Sequence, residues 1–91
     1  MIKKYTKELV NMLAKISDED LMNRVLSNLL TPQEIEEIAL RVQIIKGLKA
    51  GESQRELADR LGVSLGTISR GSRELQYGEQ GVSEVLEDDA I

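Results

Sequence analysis

Apolar residues recur at spacings of three and four along nearly the whole chain, a pattern that predicts helices throughout. Ile2, Tyr5, Leu9, Met12, Leu13 and Ile16 share one face and predict an amphipathic helix over 2–16. The stretch SDEDL (17–21) reads as the next helix start. Ser17 is placed to cap it, with Asp20 three residues on at the positive end of the dipole. Leu21, Met22, Val25, Leu26, Leu29 and Leu30 then make a wide apolar face. LTPQE (30–34) is a stronger start: Thr31 is an N-cap residue and Pro32 takes the first helical position. The third helix is expected to run to about Ala50, with Gly51 just past its end. Helices over 53–61, 64–75 and about 80–88 complete the set, and no strand pattern, internal repeat or low-complexity linker interrupts it.

The third helix is apolar on two sides. Ile35, Ile38, Ala39, Val42 and Ile45 form one broad stripe, while Leu40, Ile44 and Leu48 lie roughly opposite. Such a helix needs two covers. In a chain of 91 residues, where a monomer's core is thin, a partner subunit is a natural second cover. The alternative is the central helix of a monomeric bundle.

Residues 53–70, SQRELADRLGVSLGTISR, carry the spacing of a helix-turn-helix. Leu57 and Leu61 face inward, Ala58 is small where two helices cross, and Gly62 permits the turn. Val63 and Ile68 seat the second helix on the first, and Ser64 caps it. The second helix is nonetheless poorly made. Gly66, Gly71, Thr67, Ile68 and the serines leave it roughly 3–4 kcal/mol short of a good helix former.

Charge sharpens this picture. The net charge of −4 argues against a nucleic-acid partner only until it is divided along the chain. Residues 1–40 hold five basic and seven acidic side chains, and residues 74–91 hold six acidic and none basic. Residues 41–73 hold seven basic (Arg41, Lys46, Lys49, Arg55, Arg60, Arg70, Arg73) and three acidic. The middle third, which contains the helix-turn-helix, is thus the basic part, as DNA binding requires.

Geometry then places the second helix in a major groove with the first crossing the backbone. The candidate DNA-contacting set is Gln54, Arg55, Ser64, Leu65, Gly66, Thr67, Ser69, Arg70, Ser72 and Arg73. Small and apolar groups dominate the groove-facing positions, so specificity is expected to be water-mediated or shape-based rather than read by Arg or Asn forks.

Composition excludes other classes. Without Cys there are no disulfides or thiolate sites, and without His the commonest general base and metal ligand is missing. Neither an enzyme nor a metal site is expected. With no Phe or Trp and only two Tyr, stacking platforms for single-stranded nucleic acid are nearly absent. No apolar run approaches membrane-spanning length, and the expectation is a soluble cytoplasmic protein.

Residues 29–72, LLTPQEIEEIALRVQIIKGLKAGESQRELADRLGVSLGTISRGS, resemble the tryptophan operon repressor family through LTP-E, RV-I, G-SQREL and TISRGS in order. The tail RELQYGEQGVSEVLED is similar to a shorter Trp-repressor-like branch, the YerC/YecD type. The resemblance implies an all-α fold of six helices per subunit in an intertwined homodimer. Residues 1–50 would supply the dimerisation helices, 53–75 the helix-turn-helix, and 76–91 a short helix and acidic tail. It also implies reading of a palindromic operator, with L-tryptophan as corepressor and tryptophan biosynthesis or transport genes as targets. The indole-sandwiching arginines of the family match Arg41 and Arg70. Leu30 and Thr31 match a pocket-closing loop from the partner subunit, and Thr67, Ser69 and Gly71 match further pocket or DNA-facing positions.

This chain departs from the pattern at several points, a nearly absent N-terminal arm among them. Its AGESQ turn is one residue short, and Ala58 stands where a basic residue is common. Glu74 replaces a Ser that helps hold the ligand's ammonium. The carboxylate can pair with that ammonium or compete for Arg70.

A guanidinium can stack on an aromatic face and hold a carboxylate, which suits the ligand reading. The alternatives are an Arg41 ion pair with Glu37 and an Arg70 contact with phosphate. Two further readings of function stand beside a tryptophan-activated repressor. One is a DNA-binding regulator that is constitutive or uses another ligand. The other is a helical protein-interaction module.

Overall fold

The computed structural model describes residues 2–89, with side chains to Glu87. Met1 and the last two positions of the acidic tail, Ala90 and Ile91, lie outside the described residues. Six helices and no strand form among the described residues: α1 (Ile2–Ala14), α2 (Glu19–Leu29), α3 (Pro32–Lys49), α4 (Gln54–Leu61), α5 (Leu65–Tyr77) and α6 (Gly81–Asp89). The expected all-α plan is what the chain adopts, with α1 ending two residues early.

Helix boundaries follow local chemistry. The start of α2 is capped by Asp18, whose carboxylate accepts from the Leu21 N–H at 2.8 Å. The cap is thus one residue later than the expected Ser17, because the Asp18 carboxylate reaches the third amide of the turn from the extended backbone there. At α3 the expectation is met by a reciprocal capping box. Thr31 Oγ1 accepts from the Glu34 N–H (3.1 Å), while Glu34 Oε1 accepts from the Thr31 N–H (2.9 Å).

Helix α3 ends in a Schellman motif. Gly51 has φ +89°, its N–H donates to the Leu48 carbonyl, and the Glu52 N–H reaches the Gly47 carbonyl. The same device closes α4 at Gly62, φ +68°, with the Val63 N–H on the Ala58 carbonyl. A left-handed conformation at both points favours Gly over any residue with a Cβ.

The chain divides into two compact units, Met1–Ile35 and Glu36–Ile91. In the first, α1 and α2 bury no residue, and Ile2, Tyr5, Leu9, Val10, Met12, Leu21 and Leu29 are exposed. The second holds the core: Ile44, Leu57, Ala58 and Ile68, with Leu40, Leu48, Leu61 and Val63 packed against it. Leu57 and Ile68 have no solvent exposure at all.

Two close approaches set the α3 packing. A Cβ on Gly47 would meet Leu57 Cδ1 at 2.6 Å, and one on Gly71 would meet Ile44 Cγ2 at 2.6 Å. Helix α6 is tied back by Lys49, whose Nζ donates to the Ser83 carbonyl (3.4 Å) and to Glu87 Oε1 (3.3 Å).

Candidate functional site

The helix-turn-helix is assembled as its sequence demands. Ser53 caps α4 by accepting from the Glu56 N–H, and Ser64 caps α5 by accepting from the Thr67 N–H, both at 3.1 Å. Leu57 and Ala58 on α4 meet Ile68 on α5 in the core. The second helix is therefore held by its cap and by Ile68 rather than by propensity.

Its two suspect glycines divide into different roles. Gly71 lets α5 approach Ile44 of α3, whereas nothing nearer than Ser64 Oγ (3.7 Å) faces Gly66. Space above Gly66 is open, and its neighbour Leu65 is 47% exposed. A backbone laid bare at Gly66 can approach a base edge closely, with the exposed Leu65 side chain available for apolar contact.

Of the candidate DNA-contacting residues, Ser64, Leu65, Gly66 and Thr67 stand at this end, and Arg70, Ser72 and Arg73 lie a turn or two further along α5. Gln54 opens α4, and its Oε1 accepts from Ser69 Oγ on α5 at 3.0 Å, fixing the two elements to each other. Gln54, Arg55, Ser64, Leu65, Gly66, Arg70 and Arg73 are exposed. Thr67, Ser69 and Ser72 are half-buried.

Of the seven basic residues in 41–73, two pair with carboxylates. Arg60 grips Glu52 through Nη2 (2.8 Å) and Nε (3.1 Å), and Lys49 holds Glu87. Among the described residues Arg41, Lys46, Arg55, Arg70 and Arg73 pair with no carboxylate. These five stand on α3, α4 and α5.

Beneath α5 lies a groove of about 730 Å³ between α3 and α5, lined by Glu37, Leu40, Arg41, Ile44, Ile45, Thr67, Arg70, Gly71 and Glu74. Its size falls within the range of small-molecule sites, about 300–1,000 Å³. Arg41, Arg70, Thr67 and Glu74, selected from the sequence, all stand on its wall. Leu30 and Thr31 belong to the other compact unit and are not among the lining residues.

Sequence reasoning missed Glu37, Leu40, Ile44 and Ile45 as lining. The available signal was the Leu40–Ile44 stripe of α3, read only as an apolar face. The alternative ion pair between Arg41 and Glu37 does not form among the described residues. Arg70 is oriented by a hydroxyl, its Nη2 donating to Thr67 Oγ1 at 3.4 Å, and Thr67 Oγ1 in turn lies 3.0 Å from Ser64 Oγ. A chain of polar contacts thus joins the groove to the cap of α5.

Comparison with known proteins agrees with this geometry. The family model described as Trp repressor protein matches residues 4–90. The Trp operon repressor homolog of Vibrio parahaemolyticus is 35% identical over 81 residues, 88% of this chain and 79% of the relative. That of Photobacterium profundum is 37% identical over 81 residues, with the same coverage of both. A crystal structure from Staphylococcus aureus, described as that of a Trp repressor, superposes with a TM-score of 0.89 at 26% identity. It covers 97% of this chain and 88% of that one.

Proposed function

Because the chain belongs to the Trp repressor family and is a DNA-binding regulator rather than an enzyme, we propose that it is a cytoplasmic, homodimeric repressor switched on by L-tryptophan. The observation that carries this reading is the α3–α5 groove, where Arg41 and Arg70 stand unpaired among the described residues directly beneath the reading helix. An indole between two guanidinium planes gains stacking and cation–π energy, and the remaining N–H groups hold a carboxylate. A ligand that touches α3 and α5 together binds best to one arrangement of the two, and so shifts the population towards it. Weak intrinsic propensity in α5 leaves the free helix only weakly biased towards that arrangement, so a ligand has a population to shift.

The proposed DNA surface is Gln54, Arg55, Ser64, Leu65, Gly66, Thr67, Ser69, Arg70, Ser72 and Arg73, with Arg55 and Arg73 on phosphates and the α5 first turn at base edges. Two copies would read a palindromic operator controlling tryptophan biosynthesis or transport genes. The homodimer is supported by the exposed apolar faces of α1 and α2 and by the outer stripe of α3, where Ile38 is 43% exposed. Leu30 and Thr31 would then close the partner's groove.

Selection of DNA sites from a random pool, with and without L-tryptophan, tests the proposal. A palindromic site enriched only with the ligand is expected, and Arg41→Ala and Arg70→Ala should abolish that dependence. The same site enriched equally in both pools would make the protein a constitutive regulator, and no enriched site would remove the DNA reading.

A further inference from the structure

A side-chain hydrogen bond joins the two helices of the helix-turn-helix on their outer surface. Gln54 is the first residue of α4 and Ser69 stands in the second turn of α5, with the serine hydroxyl donating to Gln54 Oε1 at 3.0 Å. This bond commits donors and acceptors in a definite way. A serine hydroxyl has one proton, and Gln54 takes it, so Ser69 keeps only lone pairs. Phosphate oxygens are acceptors and gain nothing from those. Gln54 has its carbonyl oxygen engaged, and among the described residues its amide nitrogen makes no bond, so both N–H donors are free.

The bond lies where a duplex would approach. Ser69 comes three residues after Gly66 and shares its face of α5, where the backbone is bare. Small side chains at both positions keep that face low, and Gln54 reaches onto it from α4. Arg55, the next residue of α4, is exposed and pairs with no carboxylate among the described residues. A neutral hydrogen bond at an exposed site adds little to stability. Its larger consequence is to hold a flexible amide in one orientation before any partner arrives, which removes part of the ordering cost of binding.

We propose that Ser69 is a positioning residue that orients Gln54 without touching DNA itself, and that the Gln54 amide donates to an acceptor atom of the duplex. The inference rests on the DNA surface proposed above. It assigns Ser69 an indirect role within that surface and makes Gln54 a donor rather than a two-way reader. An adenine edge needs a donor and an acceptor together, and the acceptor of Gln54 is already engaged by Ser69.

The test is a double-mutant cycle in DNA affinity, using the full chain and a duplex from the site selection, in L-tryptophan and again without it. Ser69→Ala and Gln54→Ala should each weaken binding about three- to tenfold. The double variant should lose no more than about twofold beyond Gln54→Ala, since the serine acts only through the glutamine. Ser69→Thr keeps the hydroxyl and should bind within about twofold of the wild type. Equal losses on a duplex of unrelated sequence assign the acceptor to phosphate, and losses confined to the selected duplex assign it to a base edge. Circular dichroism confirms that each variant is folded. A merely structural link would leave one readout unmoved, the side-chain amide signals of Gln54 in heteronuclear NMR spectra. Adding duplex should shift them and slow their exchange in the wild type and in Ser69→Thr, and much less in Ser69→Ala. Losses that multiply in the double variant, a Ser69→Ala variant that binds as the wild type does, or Gln54 signals indifferent to the duplex would overturn the inference and leave the DNA reading standing. A wild type that binds no duplex ends both.

Discussion

Helices α1 and α2 carry amphipathic patterns as clear as those of α4 and α5, yet they bury no residue, whereas α4 and α5 contribute two side chains with no solvent exposure. An apolar stripe says that a face needs cover without saying what covers it. In the helix-turn-helix the cover lies within the same dozen residues, since Leu57, Ala58, Val63 and Ile68 meet across one turn. The N-terminal helices have no equivalent inside their own unit. Helix α3 shows both situations at once, with Ile44 buried at 2% exposure on one side and Ile38 at 43% on the other.

If this contrast is right, substitutions in the two regions should behave differently, and the largest effect belongs to the core. Leu57→Ala removes a fully buried side chain at the meeting of α3, α4 and α5, and should cost about 2–5 kcal/mol in urea denaturation at every protein concentration. A loss that vanishes at high concentration would mean that the helix-turn-helix also depends on a second copy.

The glycines of α5 give a smaller and sharper comparison. Gly71→Ala forces a methyl against Ile44 and should cost about 1–3 kcal/mol. Gly66→Ala meets open space and should gain up to about 1 kcal/mol of helix propensity while weakening DNA binding. Denaturation of the two variants side by side, with DNA titration of the second, checks both signs.

Much of this was legible in the sequence because it is local. Ser64, Thr31, Gly51 and Gly62 act within a few residues of where they stand, so capping and turn chemistry identify them without any tertiary knowledge. The shift from Ser17 to Asp18 shows the grain of such reasoning: two adjacent cap-forming residues differ only in which reaches the free amide. What could not be read was long-range approach. Gly47 beneath Leu57, Gly71 against Ile44, and the bond from Ser69 to Gln54 depend on how helices meet. The groove was legible by its arginines and not by its floor. Whether Glu74 pairs with Arg70, one turn before it on the same helix, is a rotamer choice that no spacing decides.

The smallest expected change in the stability of the chain lies at its N-terminus. Leu9→Ser with Val10→Ser alters exposed positions and should move the unfolding free energy of the isolated chain by no more than about 0.5 kcal/mol. In sedimentation the same pair should shift the molecule from dimer to monomer. An unchanged oligomeric state would show that these faces are not the proposed interface.

The central claim is that the basic helix-turn-helix binds duplex DNA and that the groove beneath it controls that binding. The most direct measurement is the affinity for a selected duplex as a function of salt, with and without L-tryptophan. The expected result is a log–log slope of about −0.9 for each phosphate neutralised, with tighter binding in the ligand at each salt concentration. An affinity indifferent to salt, or identical with and without the ligand, would contradict it.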